Sequence, residues 1–172
     1  MIIEEVLKNK NVLFFSVQTF NLEKEIAKKL DQLGANVDYY DERPSNNNFT
    51  KGIIRLKKDL LQRRINKYYN EILIEIGKKE YNYLFVNKGE VVPEFFLAKF
   101  QIMHPNCQCI FYTWDSFANN KNALSILKYF HKKFSFDSDD ADSCAKMAAA
   151  TPAAKASAAE LVSLSGALLG LL

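Results

Sequence analysis

The sequence predicts an α/β domain, a Rossmann-like three-layer fold with a five-stranded parallel sheet. Three observations carry that expectation. Five short runs read as solid apolar stretches rather than as alternating ones, the mark of strands buried on both faces. Stretches with helical spacing separate them, giving the order β-α-β-α-β-α-β-α-β. Each run stops at a polar cluster, as strands do where they leave a sheet.

The first run is Asn11 to Val17, NVLFFSV, a central strand by its continuity. Leu22, Ile26, Leu30 and Leu33 then fall on one helical face, and Gly34 follows as the residue that ends the helix. Asn36 to Tyr40 reads as the second strand, closed by Asp41-Glu42-Arg43-Pro44, where proline forbids continuation. Ser45 to Asn48 is a loop. Phe49 to Lys79 is a long helical stretch with the stripe Ile54, Leu61, Ile65, Tyr68, Ile72 and Ile76, and Gly77 near its end. Tyr81 to Val86 is the third strand, ending at Asn87-Lys88-Gly89. Pro93 suits the first turn of a helix that runs to about Met103 and stops before Pro105. Cys109 to Tyr112 is the fourth strand, ending at Trp114-Asp115-Ser116. A short helical pattern leads to the fifth, Lys133 to Phe136, which meets the acidic cluster Asp137 to Asp142. Leu13, Phe15, Val37, Leu84, Val86, Ile110 and Tyr112 are expected inside. A strand order of 3-2-1-4-5 is the expectation for such a domain.

The chain has 172 residues, 48% hydrophobic and 25% charged, which suits one soluble domain with a real core. A net charge of +3 is too small to point to nucleic acid. Three cysteines and two histidines, with Cys107 and Cys109 two apart, make neither a disulfide framework nor a zinc site, so no metal is expected. His104 and His131 read as solvated or capping residues. Met1 to Glu5 is acidic where a secretion signal would be positive, so the cytoplasm is expected, with the inner face of a membrane open to it. The lysines and arginines between Lys51 and Lys67 read as a solvated face that can also meet anionic lipid.

Composition changes near Cys144. Residues 1–143 form the expected domain, and 144–172 an Ala- and Leu-rich tail with helical propensity, foreign in character to what precedes it. Its apolar end, Leu161 to Leu172, falls short of the roughly 20 residues that span a bilayer.

No glycine-rich dinucleotide loop, phosphate loop or nucleophile elbow is present. What remains is a set of polar strand ends, Asp41, Glu42 and Arg43, Asn87 and Lys88, Trp114, Asp115 and Ser116, and Asp137 to Asp140. In a parallel sheet these converge on one edge. Carboxylates, amides and a cation beside an aromatic ring suit a polyhydroxylated ligand. The competing reading is local: Asp41 and Asp115 cap helices, Arg43 pairs with Glu42 or Asp41, and Asp137 to Asp142 form a helix N-terminus favoured by its dipole.

Val37-Asp-Tyr-Tyr-Asp-Glu-Arg-Pro-Ser45, Phe85-Val-Asn-Lys-Gly89, Tyr112-Thr-Trp-Asp-Ser116 and Phe134-Ser-Phe-Asp-Ser-Asp-Asp-Ala141 together resemble the N-terminal domain of CgeB-like bacterial glycosyltransferase-like proteins. That family belongs to spore maturation and to capsular and lipopolysaccharide biosynthesis. The resemblance implies the acceptor-facing half of a two-domain GT-B architecture, truncated before the domain that holds the nucleotide-sugar donor. It also implies a saccharide or lipid-linked acceptor as partner, no cofactor in this half, and no sugar transfer by this half alone, because both reactants must share one cleft. Two alternatives stand beside it. One is a non-enzymatic Rossmann-like module that binds a sugar or a protein. The other is a flavodoxin-type signalling domain of the response-regulator kind, opposed by a first strand that ends without an acidic pair.

Overall fold

The structure is a computed structural model, and it describes residues 3–45, 61–117, 119–136 and 140. The elements in chain order are α1 (Ile3–Leu7), β1 (Asn11–Ser16), α2 (Leu22–Gln32), β2 (Asn36–Asp41), α3 (Gln62–Ile76), β3 (Tyr83–Asn87), α4 (Glu94–Met103), β4 (Gln108–Thr113), α5 (Lys121–Ile126) and β5 (Lys132–Ser135), with a 3-10 turn at Leu127–Tyr129. The five strands form one wholly parallel sheet. Its order is β2-β1-β3-β4-β5, not the expected 3-2-1-4-5. The chain winds outward to β2, then returns past β1 to lay down β3, so winding reverses between β1 and β3. That is the flavodoxin-like order, with its switch point at β1/β3.

Alternation along each strand divides the core. Leu13 and Phe15 of β1, Leu84 and Val86 of β3, and Cys109 and Phe111 of β4 face α3, α4 and α5. There they meet Ile65, Tyr69, Ile72, Phe96, Phe100 and Ile126, all buried. The opposite face carries Val12, Phe14 and Phe85, packed by Leu7 of α1 and by Ile26, Ala27 and Leu30 of α2. Val37, Ile110 and Tyr112, expected inside, are only half-buried. They lie on this second face, where α1 and α2 are the described helices, and cover there is thinner.

Local signals worked where one residue decides the geometry. Gly34 has φ +88, and its N–H donates to the Asp31 carbonyl as the α2 terminus closes. Gly77 ends α3 differently, in right-handed conformation at φ −64. On α3 the buried rings are shifted by one: Tyr69 is sealed and Tyr68 only half-buried, because Tyr69 points at Phe15 and Phe96. Ile54 and the part of the predicted helix before Leu61 lie outside the described residues, as does the 144–172 tail. The short α1 is an element that the pattern of apolar runs does not announce.

Candidate functional site

The C-terminal edge of the sheet is made by Ser16, Asp41, Asn87, Thr113 and Ser135. Ser16 stands in register with both Asp41 and Asn87, and Thr113 with Ser135. Beyond β3 the chain turns sharply through Lys88 (φ 94) and Gly89 (φ 66). A Cβ at Gly89 would lie 2.7 Å from the Phe111 ring and 2.9 Å from Ile126, so both conformation and space demand glycine there.

This turn is held from both sides. From just beyond β2, the carboxyl of Glu42 accepts the Gly89 N–H at 2.8 Å and the Glu90 N–H at 2.6 Å. Arg43 clasps Glu90 with two guanidinium N–H groups, one of them at 2.8 Å, and both side chains are largely buried. From the α5 side, Asn120 donates to the Lys88 carbonyl at 2.7 Å and Asn122 to the Gly89 carbonyl at 2.8 Å. Lys88 itself reaches Asp115 at 2.9 Å. Tyr69 donates to the Glu42 carbonyl at 3.0 Å, and Tyr68 to that of Asp41 at 2.7 Å.

Glu42 is wholly buried, and burial pushes its carboxyl up to about 8. The backbone N–H groups of Gly89 and Glu90, which favour the anion, offset only part of that cost. Burial likewise raises the phenols around it, with Tyr68 up to about 12 and Tyr69 well above its ordinary value.

The eight residues expected to line a site all reach this edge, and the structure shows what each one touches. Glu42 and Arg43 bind the turn after β3. Asp41 turns back on its own strand end, where its Oδ1 accepts the Arg43 N–H at 2.7 Å. The expectation that Arg43 pairs with Asp41 or Glu42 is corrected: its partner is Glu90, 47 residues away. Asn87 is sealed and donates to the Ser16 hydroxyl at 3.2 Å. Trp114 sets an edge against Tyr112 with ring centroids 6.4 Å apart. Asp115 pairs with Lys88 rather than capping a helix. Ser116 lies 3.4 Å from Asp140, whose other oxygen accepts the Phe117 N–H and the Ser135 hydroxyl, each at 3.0 Å. These contacts join backbone turns to one another. Glu90 belongs to the edge without any sequence signal, because a single acid in a loop carries no periodic pattern, and Ser16 reads only as the end of an apolar run.

The histidines stand elsewhere. His104 is not solvated: it is buried with its ring 4.6 Å from that of Phe100. His131 accepts the Cys109 N–H at 2.9 Å through Nδ1. Cys107 and Cys109 are buried free thiols. Among the described residues no group of three His, Cys, Asp or Glu could hold a metal ion. Nor is any helix among them long and apolar enough to cross a membrane.

No family model matches the chain, and no curated protein matches it. Solved structures to which the chain is similar include a response regulator, a receiver domain and a pilus assembly-related protein. A response regulator from Burkholderia pseudomallei, carrying a phosphorylated aspartic acid, a calcium ion and citrate, is 13% identical. It covers 84% of this chain and 76% of its own, with a TM-score of 0.46. The signal receiver domain of an HD domain-containing protein from Pseudomonas fluorescens is 11% identical over 81% of this chain and 94% of its own, with a TM-score of 0.45. A pilus assembly-related protein from Burkholderia pseudomallei is 16% identical over 82% and 90%, with a TM-score of 0.41. None is a glycosyltransferase.

The resemblance to CgeB-like glycosyltransferases is therefore corrected, and with it the truncated GT-B half, its place in polysaccharide or spore-coat biosynthesis and the saccharide or lipid-linked acceptor. The alternative of a sugar- or protein-binding Rossmann-like module falls too. The physical reason lies in the motifs that carried the resemblance. Phe85 to Gly89 and Tyr112 to Ser116 each begin in a parallel strand and run into its polar end, and the third motif begins in β5 at Phe134. Any doubly wound sheet presents such stretches in that order.

Proposed function

We propose that this chain is a signalling module of the receiver kind that does not take up a phosphoryl group at its strand-end edge. The choice of class rests on fold-level analogy, the β2-β1-β3-β4-β5 winding shared by flavodoxins and receivers. The departure rests on chemistry. Taking a phosphoryl group requires an open carboxylate and a cation to screen the incoming charge. Here β1 ends Ser16-Val17-Gln18, without an acidic pair, and β3 ends in the buried amide of Asn87. The nearby carboxylates are engaged: Asp115 by Lys88, Asp140 by the Phe117 N–H and the Ser135 hydroxyl. The single observation that carries the reading is the sealed amide of Asn87 at the end of β3, where a phosphoryl acceptor would need an open carboxylate.

The test is incubation of the chain with acetyl phosphate and magnesium, followed by intact-mass measurement. No gain of about 80 Da, the mass of one added phosphoryl group, is expected under conditions that label an ordinary receiver. Stoichiometric labelling, mapped to any residue of this edge, overturns the reading.

A further inference from the structure

The N-terminal edge of the sheet holds a titratable group that the strand-end cluster does not use. His104 closes α4: its N–H donates to the Phe100 carbonyl at 2.8 Å, and its own carbonyl accepts the Cys107 N–H at 3.0 Å. One residue thus joins the end of α4 to the start of β4. Its side chain is turned inward. The residue is 8% exposed, with its ring 4.6 Å from that of Phe100 and edge-on to Tyr81 at 5.4 Å. Nε2 is sealed there with no hydrogen-bond partner among the described residues.

That setting suits a neutral imidazole and not an imidazolium. The neutral ring keeps one nitrogen as an acceptor, whereas the charged ring carries an N–H on both. Protonation would therefore add a sealed donor without an acceptor, and a charge between two aromatic rings. Burial accordingly holds His104 below its ordinary 6.5. The negative charge of Glu80, an exposed residue, acts against that shift. The other titratable groups beside it are Tyr81, whose phenol is raised by burial and donates to Asp38 at 2.5 Å, and Cys107, whose thiol is raised by its hydrogen bond with Cys109 and by burial. A form with the ring released binds protons more readily than the closed form. The stability that the sealed ring contributes is fully present above about 6.5 and is lost as pH falls through the lower value of the closed form. Glu42 titrates in the opposite sense, so it does not supply this loss.

We propose that His104 is an acid-sensitive latch: on protonation its ring leaves the space between Phe100 and Tyr81 for solvent and Glu80, and the turn from α4 to β4 opens to expose Cys107 while the sheet stays formed. Cys107 is 3% exposed with the latch closed, so its thiol reports the opening. The latch lies at the edge opposite Asn87 and stands whether or not the receiver reading of that edge holds.

The experiment uses the full chain carrying Cys144→Ser, which leaves Cys107 and Cys109 as its thiols. Labelling by 4,4′-dithiodipyridine is followed between about pH 7 and 5 and assigned by peptide mass. Each rate is divided by that of the same chain in urea at the same pH, which cancels the thiolate fraction. The divided rate at Cys107 is expected to rise several-fold on acidification, up to the roughly tenfold per pH unit that one coupled proton allows, with far-UV circular dichroism unchanged. In His104→Phe, which keeps a ring between Phe100 and Tyr81 without the proton, the rise is expected to vanish. In Glu80→Gln, an exposed change that leaves folding intact, the His104 midpoint seen by NMR and the onset of labelling are both expected to move to lower pH, because the charge that favours the imidazolium is gone. A His104 midpoint at or above 6.5 overturns the proposal. So do a flat labelling profile, a rise that persists in His104→Phe, or labelling that begins only as the circular dichroism signal is lost. Should His104→Phe not fold, wild type and Glu80→Gln decide the matter: an onset of labelling that does not follow the His104 midpoint overturns the latch.

Discussion

Replacing Glu42 with Gln separates the two things its carboxyl does. In the wild-type chain both oxygens accept backbone N–H groups, from Gly89 and Glu90. An amide has one acceptor oxygen, and its NH2 would face the second N–H donor to donor. Leaving one buried donor unmatched costs about 1–3 kcal/mol. The same substitution removes a titration. Because burial raises the Glu42 carboxyl to about 8, the folded chain holds its proton to a higher pH than the unfolded chain, whose carboxyl titrates near 4.5. The unfolded state therefore binds fewer protons across that window, and stability falls as pH rises. The contribution is fully present below about 4.5 and is lost on passing through about 8. The slope is a little over ~1 kcal/mol per pH unit, and the whole loss is several kcal/mol. Glu42→Gln should therefore be less stable than wild type near pH 5, and the gap should close or invert by pH 8. Urea unfolding at half-unit pH steps, followed by far-UV circular dichroism, measures both curves. Parallel curves for the two proteins, or a variant as stable as wild type at pH 5, would refute the account of Glu42 as a buried, proton-holding clamp.

Gly89→Ala should cost about 2–4 kcal/mol, from left-handed strain plus contact with Phe111 and Ile126, and should lower the urea midpoint at unchanged m-value. Tyr69→Phe removes a buried donor to the Glu42 carbonyl and should cost about 1 kcal/mol in the same assay. Asp115→Asn breaks a partly exposed pair with Lys88 and should change stability by less than about 1 kcal/mol, a difference that shrinks in high salt. A chain ending at Ser143 is expected to keep the thermal stability of the full chain and gain solubility; failure to fold would show that residues 144–172 supply core.

The class of fold was legible because its signals are local. Burial on both faces made Asn11 to Ser16 and Tyr83 to Asn87 read as apolar runs. Helical spacing marked Leu22 to Leu30, and Gly34 closed that helix where a left-handed residue was needed. The edge at which polar strand ends gather was legible for the same reason: each strand announces its own end. Short strand-end motifs were a poor guide to family, because their pattern belongs to parallel sheets in general.

Sequence by itself thus determined the five strands, most of the helices between them, the parallel sheet and the edge where Asp41, Asn87, Lys88 and Asp115 meet. Tertiary structure alone decided the strand order, since β3 could lie beside either β1 or β2 with the same local patterning. It also decided what the polar residues do. Glu42 meets Gly89, and Arg43 meets Glu90, each across 47 residues of chain. Those partners are set by which strand neighbours which and by where α5 docks. A carboxylate's neighbours in space determine whether it binds a ligand, takes a phosphoryl group or holds a turn, and no local spacing encodes a contact that the winding of the sheet creates.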